Sequence, residues 1–126
     1  MKSVDTFAQF VTAINHQDVA AIAALMTPDH LFVDGLGNPM RGATAMKAAW
    51  RAYYAMCPDY WIRADRVVAD KDIVLAVGEA GGTIDGVAWR TPAAWKAVIL
   101  GDRVAEWRVF ADNKPVYEIL AARVKP

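Results

Sequence analysis

The hydrophobic positions of the chain follow a helical spacing in its first half and a strand spacing in its second half. Apolar residues recur every three or four positions over Val4–Ile14 and again over Val19–Met26, which predicts two helices. A third stretch, Gly42–Cys57, carries a dense aromatic stripe and predicts a longer helix, which Pro58 ends. The pattern therefore predicts three helices in the N-terminal half.

From Tyr60 onward, apolar and polar residues alternate, and turn residues divide the alternation into long segments. The predicted strands span 60–69, 73–84, 87–100 and 103–111, with tight turns at Asp85-Gly86 and Gly101-Asp102. Glycines inside the second of these strands predict a bulge, a sharp bend or the close approach of another element. A short helix over Val116–Leu120 is expected to follow.

The stretch Leu31–Gly42 joins the two halves and contains the strongest chemical signal. It predicts a short strand that gives way to a glycine-rich turn at Asp34. Strand alternation places Asp34 on the same face as Phe32. If that face is buried, the carboxylate loses hydration and its pKa rises toward the range useful for a general base. The alternative is that Asp34 caps the turn through hydrogen bonds to its own backbone.

Helices followed by long antiparallel strands predict an α+β fold rather than a doubly wound sheet. The 126 residues suit one domain spanning 1–126. A strongly bent, mostly antiparallel sheet wrapped around the three helices would enclose an apolar cavity.

Composition narrows the function classes. Apolar residues make up 56% of the chain and charged residues 22%, which argues against disorder. Fourteen basic residues balance fourteen acidic ones, so charge supplies no case for binding nucleic acid or an anionic membrane. No apolar run reaches the length of a transmembrane helix, and the N-terminus lacks the apolar segment of a signal peptide. A single cysteine excludes an internal disulfide, so a cytoplasmic location is expected.

Several kinds of site are disfavoured. His16 and His30 have no partners at metal-binding spacing, so no metal site is expected. Cys57 lies at a helix C-terminus, where the helix dipole opposes a thiolate, and is interpreted as a small core residue. The glycines of the second half lie in a strand pattern rather than before a helix, so no phosphate-binding loop and no cofactor are expected.

Aromatic and acidic residues supply the remaining candidates. Most of the aromatic side chains belong to the core of a protein of this size, but the same residue types line pockets for flat apolar molecules. Tyr60 and Trp61 alternate, so one of them faces inward. Glu79 and Asp112 compete with Asp34 as the key acid. The alternative for these two acids is a solvated or ion-paired sheet face, with Arg90 or Arg108 as the partner.

The chain resembles the NTF2-like superfamily, in its SnoaL-like and ketosteroid-isomerase-like branch, over roughly residues 5 to 113. The resemblance is carried by the stretches Asn15–Asp18, Met26–His30, Phe32–Gly42 and Asp102–Asp112. It implies a cone-shaped fold with a bent sheet closed by three helices, an apolar cavity for a small hydrophobic molecule and, commonly, a homodimer through the sheet.

The resemblance also implies roles for individual residues. Asp34 falls where ketosteroid isomerases carry their general base, in a matching Asp-x-x-Gly context that ends at Gly37. The oxyanion-hole tyrosine of that family corresponds to Phe10, which cannot donate a hydrogen bond. The second oxyanion donor falls near Trp95 or Lys96. This loss of donors argues against steroid isomerisation.

Two other branches of the family offer further comparisons. Polyketide cyclases use a cavity aspartate without a cofactor, a role open to Asp34 or Asp112. In limonene-epoxide-hydrolase relatives, an acid of the closing strand would fall at Val109, and the second acid near Arg90 is Thr or Pro. Water activation by an Asp-Arg-Asp set is therefore disfavoured.

The sequence therefore predicts a cofactor-independent acid/base enzyme of isomerase or cyclase type acting on a small hydrophobic carbonyl compound. Asp34 is the predicted base, with Asp112 and Trp95 as polar partners. The predicted substrate-binding residues are Phe10, Trp50, Tyr53, Tyr54, Trp89, Trp107 and Val109. The alternative is a non-catalytic module that binds a hydrophobic ligand or serves in dimerisation.

Overall fold

The computed structural model describes residues 2–123 and has an α+β architecture. The helices are α1 (Lys2–Asn15), α2 (Val19–Ala24), α3 (Ala43–Met56) and α4 (Lys114–Ala122). The strands are β1 (Met26–Val33), β2 (Pro39–Arg41), β3 (Trp61–Asp70), β4 (Ile73–Ile84), β5 (Val87–Leu100) and β6 (Arg103–Ala111). None of the helices in this range is long and apolar enough to cross a bilayer.

The six strands form one sheet in the order β2-β1-β6-β5-β4-β3. All neighbours are antiparallel except β1 and β6, which are parallel. Residues of α1, α2 and α3 pack on the inner face together with the inward-facing positions of β3 to β6. The predicted fold class, a bent and mostly antiparallel sheet wrapped around helices, is confirmed.

Two strand positions were mispredicted from local pattern. Strand β1 begins at Met26, although Thr27–Asp29 has the local pattern of a break before a shorter strand. Met26 pairs with Val104 of β6, and the pairing resumes at Leu31 after an irregularity. The partner strand lies far away in sequence, so the local pattern could not reveal this pairing. Strand β2 was predicted as turn but pairs with the nearby β1 across the loop that contains Asp34.

The glycines of β4 lie where other elements come close to the strand, which is one of the explanations that the sequence pattern offered. A Cβ atom at Gly78 would lie 1.7 Å from the carbonyl oxygen of Arg63 on β3, beside the irregularity between Ala64 and Arg66. A Cβ atom at Gly82 would lie 2.4 Å from the sulfur of Cys57. Side chains are therefore sterically excluded from these positions of β4, where β3 and the end of α3 come close to the strand.

The core is densest where α1 meets β5 and β6. Phe10 is fully buried, and its ring centroid lies 4.9 Å from that of Trp107. Phe7 contacts the same indole at 5.4 Å, and Trp95 stacks on it from the neighbouring strand at 6.4 Å. These rings fill one end of the sheet, so any open volume must lie toward the other end.

We predict that Gly78→Ala destabilises the fold strongly. The added methyl group would overlap the Arg63 carbonyl, and overpacking of this kind costs about 1–3 kcal/mol or more. The free energy of unfolding, measured by urea denaturation, should fall accordingly. Ala88→Ser, on the exposed face of the neighbouring strand, is the control and should change it by less than about 0.5 kcal/mol. Equal stabilities for the two variants would contradict this account of Gly78.

Candidate active site

A cavity of about 230 Å³ lies between α3, the end of β1 and the inner face of β4, β5 and β6. Its wall includes six aromatic rings, those of Phe32, Trp50, Tyr53, Tyr60, Trp89 and Trp107. The polar side chains that are not aromatic come from Asp34, Thr91 and Asn113. The cavity therefore combines a flat apolar interior with a few polar positions, the usual composition of a small-molecule site.

The aromatic wall forms a continuous set of contacts around Tyr60. Its ring centroid lies 4.8 Å from that of Tyr53, 6.2 Å from Trp50 and 6.1 Å from Trp89. Burial is the main cause that raises the pKa of Tyr53 and of Tyr60 well above the usual range. Both phenols are therefore neutral near pH 7 and can donate hydrogen bonds.

The carboxylate of Asp34 is half-buried at the edge of this cavity and is held by its own loop. Its Oδ1 accepts hydrogen bonds from the backbone N–H groups of Leu36 and Asn38, each at 2.9 Å. The Asp34 backbone N–H donates to the Asn38 carbonyl, and its carbonyl accepts from Gly37. Oδ1 of Asp34 therefore caps the turn, which is the alternative role that the sequence pattern offered.

The second carboxylate oxygen of Asp34 is much less engaged. Oδ2 accepts a single long hydrogen bond, 3.3 Å, from the side-chain amide of Asn38. A carboxylate oxygen has room for further hydrogen bonds, so Oδ2 can accept another one. The structure thus shows the turn-capping role for one oxygen of Asp34, and the role of Asp34 as a base stays a prediction.

Two polar cavity residues, Thr91 and Asn113, were missed by the sequence interpretation. Thr91 is 2% exposed, and its hydroxyl donates to the carbonyl oxygen of Asp112 at 2.8 Å. Asn113 lies just beyond β6, lines both this cavity and a surface pocket beside α4, and places its amide nitrogen next to Gly35. Alternation from Trp89 could have indicated Thr91, whereas no strand pattern extends to Asn113.

The structure places five of the predicted substrate-binding residues on the cavity wall, namely Trp50, Tyr53, Trp89, Trp107 and Val109. Two others need correction. Phe10 is completely buried behind Trp107 and also contacts His30. Tyr54 is turned toward α1, where its hydroxyl donates to the carbonyl oxygen of Ile14 at 2.8 Å. Neither residue lines the cavity.

The two predicted polar partners of Asp34 also lie elsewhere. Trp95 is on the inner face of β5, but it lies beyond the cavity, 1% exposed and stacked on Trp107. Asp112 is exposed, and its Oδ1 accepts a hydrogen bond from the backbone N–H of Lys114 at the start of α4. Contact with a molecule in the cavity would require both side chains to move.

Glu79, the third acid considered from the sequence, lies on the outer face of the sheet. It forms ion pairs with Arg63 at 2.6 Å and with Arg90 at 3.1 Å. The ion-paired alternative is therefore the one found in the structure. Among the three acids, the cavity wall includes only Asp34.

His30 and Cys57 are core groups in this fold. Within residues 2–123, no three His, Cys, Asp or Glu side chains come together as metal ligands. His30 is fully buried, and its Nδ1 donates to the carbonyl oxygen of Val104 at 2.7 Å, where the β1–β6 pairing is irregular. Burial lowers the pKa of His30 and raises the pKa of the Cys57 thiol, so both side chains are neutral near pH 7.

Comparison with solved structures identifies the class of fold. A protein from Shewanella denitrificans described as a SnoaL-like polyketide cyclase superposes with a TM-score of 0.84 at 11% identity, covering 95% of this chain and 97% of its own. A ketosteroid isomerase-like protein from Catenulispora acidiphila, in complex with trimethylamine, gives 0.83 at 18% identity and coverages of 96% and 97%. An epoxide hydrolase of the LEH-like type from M. tuberculosis gives 0.83 at 16% identity, with coverages of 98% and 96%.

These similarities show an NTF2-like, ketosteroid isomerase-like fold. The model of the SnoaL-like domain family matches residues 7–117, which is most of the chain. The protein therefore belongs to the SnoaL-like family, as its sequence motifs predicted. No curated protein matches the chain.

We predict that the stability of the fold falls when the pH drops below about 6.5, the pKa of histidine in an unfolded chain. Burial is the main cause that lowers the pKa of His30 in the folded protein, and the nearby Glu106 and Asp29 oppose it only partly. Between the two pKa values the unfolded state binds more protons, so stability is complete above this window and is lost as the pH falls through it.

The measurement is the free energy of unfolding between pH 5 and 8, with the His30 ring followed by NMR. His16→Asn is the control, because His16 is exposed and its removal should leave the profile unchanged. A His30 ring that takes up its proton at or above pH 6.5 in the folded state would contradict this assignment.

Proposed function

We propose that this protein is a cofactor-independent acid/base enzyme of isomerase or polyketide-cyclase type, with Asp34 as its general base. Its substrate is a small hydrophobic carbonyl compound bound in the cavity. The observation that carries the proposal is the position of Asp34 at the edge of an aromatic-lined cavity, where Oδ1 accepts two backbone hydrogen bonds and Oδ2 accepts only one long one.

In the proposed reaction, Oδ2 of Asp34 removes a proton from the carbon next to the carbonyl group. The carbon–hydrogen bond breaks, and its electron pair becomes part of an enolate whose negative charge rests on the carbonyl oxygen. The protonated Oδ2 then returns the proton to carbon, which gives isomerisation if the position differs. Attack of the enolate carbon on a second carbonyl group would instead close a ring; the π bond of that carbonyl breaks, and the resulting alkoxide takes the proton from Oδ2.

The size of the cavity favours a substrate smaller than a steroid. Its volume of about 230 Å³ corresponds to roughly eight water molecules of the liquid, which suits a one- or two-ring compound. Phe10 separately argues against steroid isomerisation, because it has no hydroxyl group at the position that the resemblance assigns to the steroid-isomerase tyrosine. The aliphatic side chain of Val109 likewise argues against the water-activating acid of an epoxide hydrolase.

We predict that Asp34→Asn abolishes proton exchange on a bound ketone. The probe is 2-tetralone in deuterated buffer, with the loss of its α-hydrogens followed by NMR. Removal of a general base should slow the enzyme-dependent exchange by roughly 10²–10⁴-fold. The carbonyl oxygen of the introduced amide can still accept the Leu36 and Asn38 hydrogen bonds, so the loop should be retained and the melting temperature preserved.

Asp112→Asn is the matched control for this experiment. Asp112 is an exposed acid at the same end of the sheet, outside the cavity wall. Its variant should exchange 2-tetralone at the rate of the unmodified protein. Full activity in Asp34→Asn, or equal losses in the two variants, would rule out Asp34 as the base.

A second candidate function is a non-catalytic module that binds a hydrophobic ligand. The absence of a hydroxyl group at Phe10 and the structural use of Asp34 Oδ1 favour it. In that case 2-tetralone would bind without accelerated exchange, and Asp34→Asn would leave its affinity unchanged. The exchange experiment therefore separates the two functions.

The outer face of the sheet supports a further part of the proposal, a homodimer formed through this face. Val77, Ala94 and Phe110 are cross-strand neighbours on β4, β5 and β6, and Leu75 lies beside them on β4. Leu75, Val77 and Phe110 are 48%, 52% and 52% exposed, so they form an apolar row open to solvent. Ion pairs with charges of both signs flank this row, which allows a second copy to complement it.

We predict that Leu75→Arg shifts the protein from dimer to monomer. A guanidinium in the apolar row would be buried by the second copy without a partner, beside the Lys96 ammonium, which already pairs with Glu106. Light scattering coupled to size-exclusion chromatography measures the mass. Val87→Arg is the control, because Val87 is equally exposed but lies at the β4–β5 turn. A monomeric unmodified protein would rule out the dimer.

A further inference from the structure

We propose that the side-chain amide of Asn113 binds the carbonyl oxygen of the substrate and stabilises the charge that develops on it. Asn113 would thus supply the donor that Phe10 cannot. This inference rests on the proposed function, because it assigns the partner of Asp34 in the same cavity. The observations that carry it are the unused capping position of Asn113, its contact with Gly35 and the fixed turn that holds it.

The first observation is that Asn113 occupies a capping position without capping the helix. It is the N-cap residue of α4, where an asparagine normally accepts a hydrogen bond from a backbone N–H of the first turn. Its side chain makes no such bond, and no hydrogen bond joins its amide to another residue in the described part of the chain. Asp112 instead accepts the N–H of Lys114. The amide of Asn113 is therefore left available to a ligand.

The second observation concerns the space next to Asp34. A Cβ atom at Gly35 would lie 2.8 Å from Nδ2 of Asn113 and 3.3 Å from the carbonyl oxygen of Ala111. The backbone of Gly35 does not have a positive φ, so its conformation does not require glycine. Glycine at this position instead makes room for the Asn113 amide, which packs beside the residue that follows Asp34.

The third observation is that the chain around Asn113 is held in place from the sheet. The hydroxyl of Thr91, buried on the inner face of β5, donates to the carbonyl oxygen of Asp112 at 2.8 Å. The Asn113 carbonyl in turn accepts the N–H of Tyr117 within α4. These bonds fix the backbone that carries Asn113, so only its side-chain torsions are left to be ordered when the amide binds a developing charge.

The other polar groups of the wall are less suited to this task. The hydroxyl proton of Thr91 is committed to Asp112. Tyr53 and Tyr60 also have hydroxyl groups that can donate, but their rings pack against each other and against Trp50 within the aromatic wall. The indole N–H groups of Trp50 and Trp89, which have no hydrogen-bond partner in the described part of the chain, can also donate. These tyrosines and tryptophans are the competing donors that an experiment must separate from Asn113.

In the proposed reaction, Asp34 and Asn113 act on different atoms of the substrate. Oδ2 of Asp34 takes the proton from the α-carbon, and the electron pair of the broken bond moves toward the carbonyl oxygen. An N–H group of Asn113 donates a hydrogen bond to that oxygen as its negative charge grows. No proton leaves Asn113, and the return of the proton from Asp34 to carbon restores both residues.

The test uses 2-tetralone labelled with carbon-13 at the carbonyl group, bound to the intact protein. A hydrogen bond to the carbonyl oxygen moves its NMR signal downfield. We expect Asn113→Leu, which has nearly the same shape but no donor, to lose that shift and to reduce kcat for α-proton exchange by roughly 10²–10³-fold. Its melting temperature should not change, because the side chain does not cap α4.

Comparison variants make the result decisive. Glu118→Gln, on the exposed side of α4, should retain both the shift and the rate. Asp34→Asn should retain the shift while losing exchange. Tyr53→Phe and Tyr60→Phe should retain the shift. A downfield signal that survives Asn113→Leu, or that disappears only in a tyrosine variant, would overturn the assignment of Asn113.

The experiment also separates this inference from the proposed function. If the unmodified protein shows the shift without accelerating exchange, and Asn113→Leu removes it, Asn113 is a ligand-binding residue and the enzymatic proposal fails. If exchange depends on Asp34 but not on Asn113, the enzymatic proposal stands and this inference fails. An unmodified protein that does not bind 2-tetralone would overturn both.

Discussion

The packing of Trp107 sets the shape of the whole inner surface. Its indole contacts Phe7 and Phe10 of α1 and Trp95 of the neighbouring strand. The same side chain lines the cavity. Large rings therefore pack at one end of the bent sheet, and the open volume lies beside them, between Trp107 and α3.

The loop after β1 fixes the side chain that we propose as the catalytic base. Backbone N–H groups of the loop fix Oδ1 of Asp34, and this bonding sets the direction of the whole carboxylate. Such preorganisation is what a catalytic base requires, since the group need not be reoriented when the substrate arrives. The same hydrogen bonds would be present in a protein that only binds a ligand. Proton exchange on a bound ketone is therefore the measurement that distinguishes an enzyme from a binding module.

Several residues show how far local pattern reaches. The helices, the long strands and the turn at Asp85-Gly86 follow from spacing and turn chemistry, and the structure contains them close to the predicted bounds. The start of β1 at Met26 could not be predicted in this way. It depends on parallel pairing with Val104, and that partner is distant in sequence. The proline and the aspartate near the start of β1 instead give the local sequence the pattern of a break between elements.

For the site, residue pattern alone was sufficient to predict that Asp34 ends a strand and enters a tight turn, and that aromatic residues crowd α3 and the long strands. Which of these residues meet depends on packing between distant parts of the chain. Trp89, Thr91 and Trp95 all lie on the inner face of β5, yet the cavity reaches only the first two. Asn113 lines the cavity, whereas the neighbouring Asp112 does not and is hydrogen-bonded to both Thr91 and Lys114. Alternation along a strand determines which side chains face inward. Which of those side chains reach the cavity depends on how helices from elsewhere in the chain pack against the sheet.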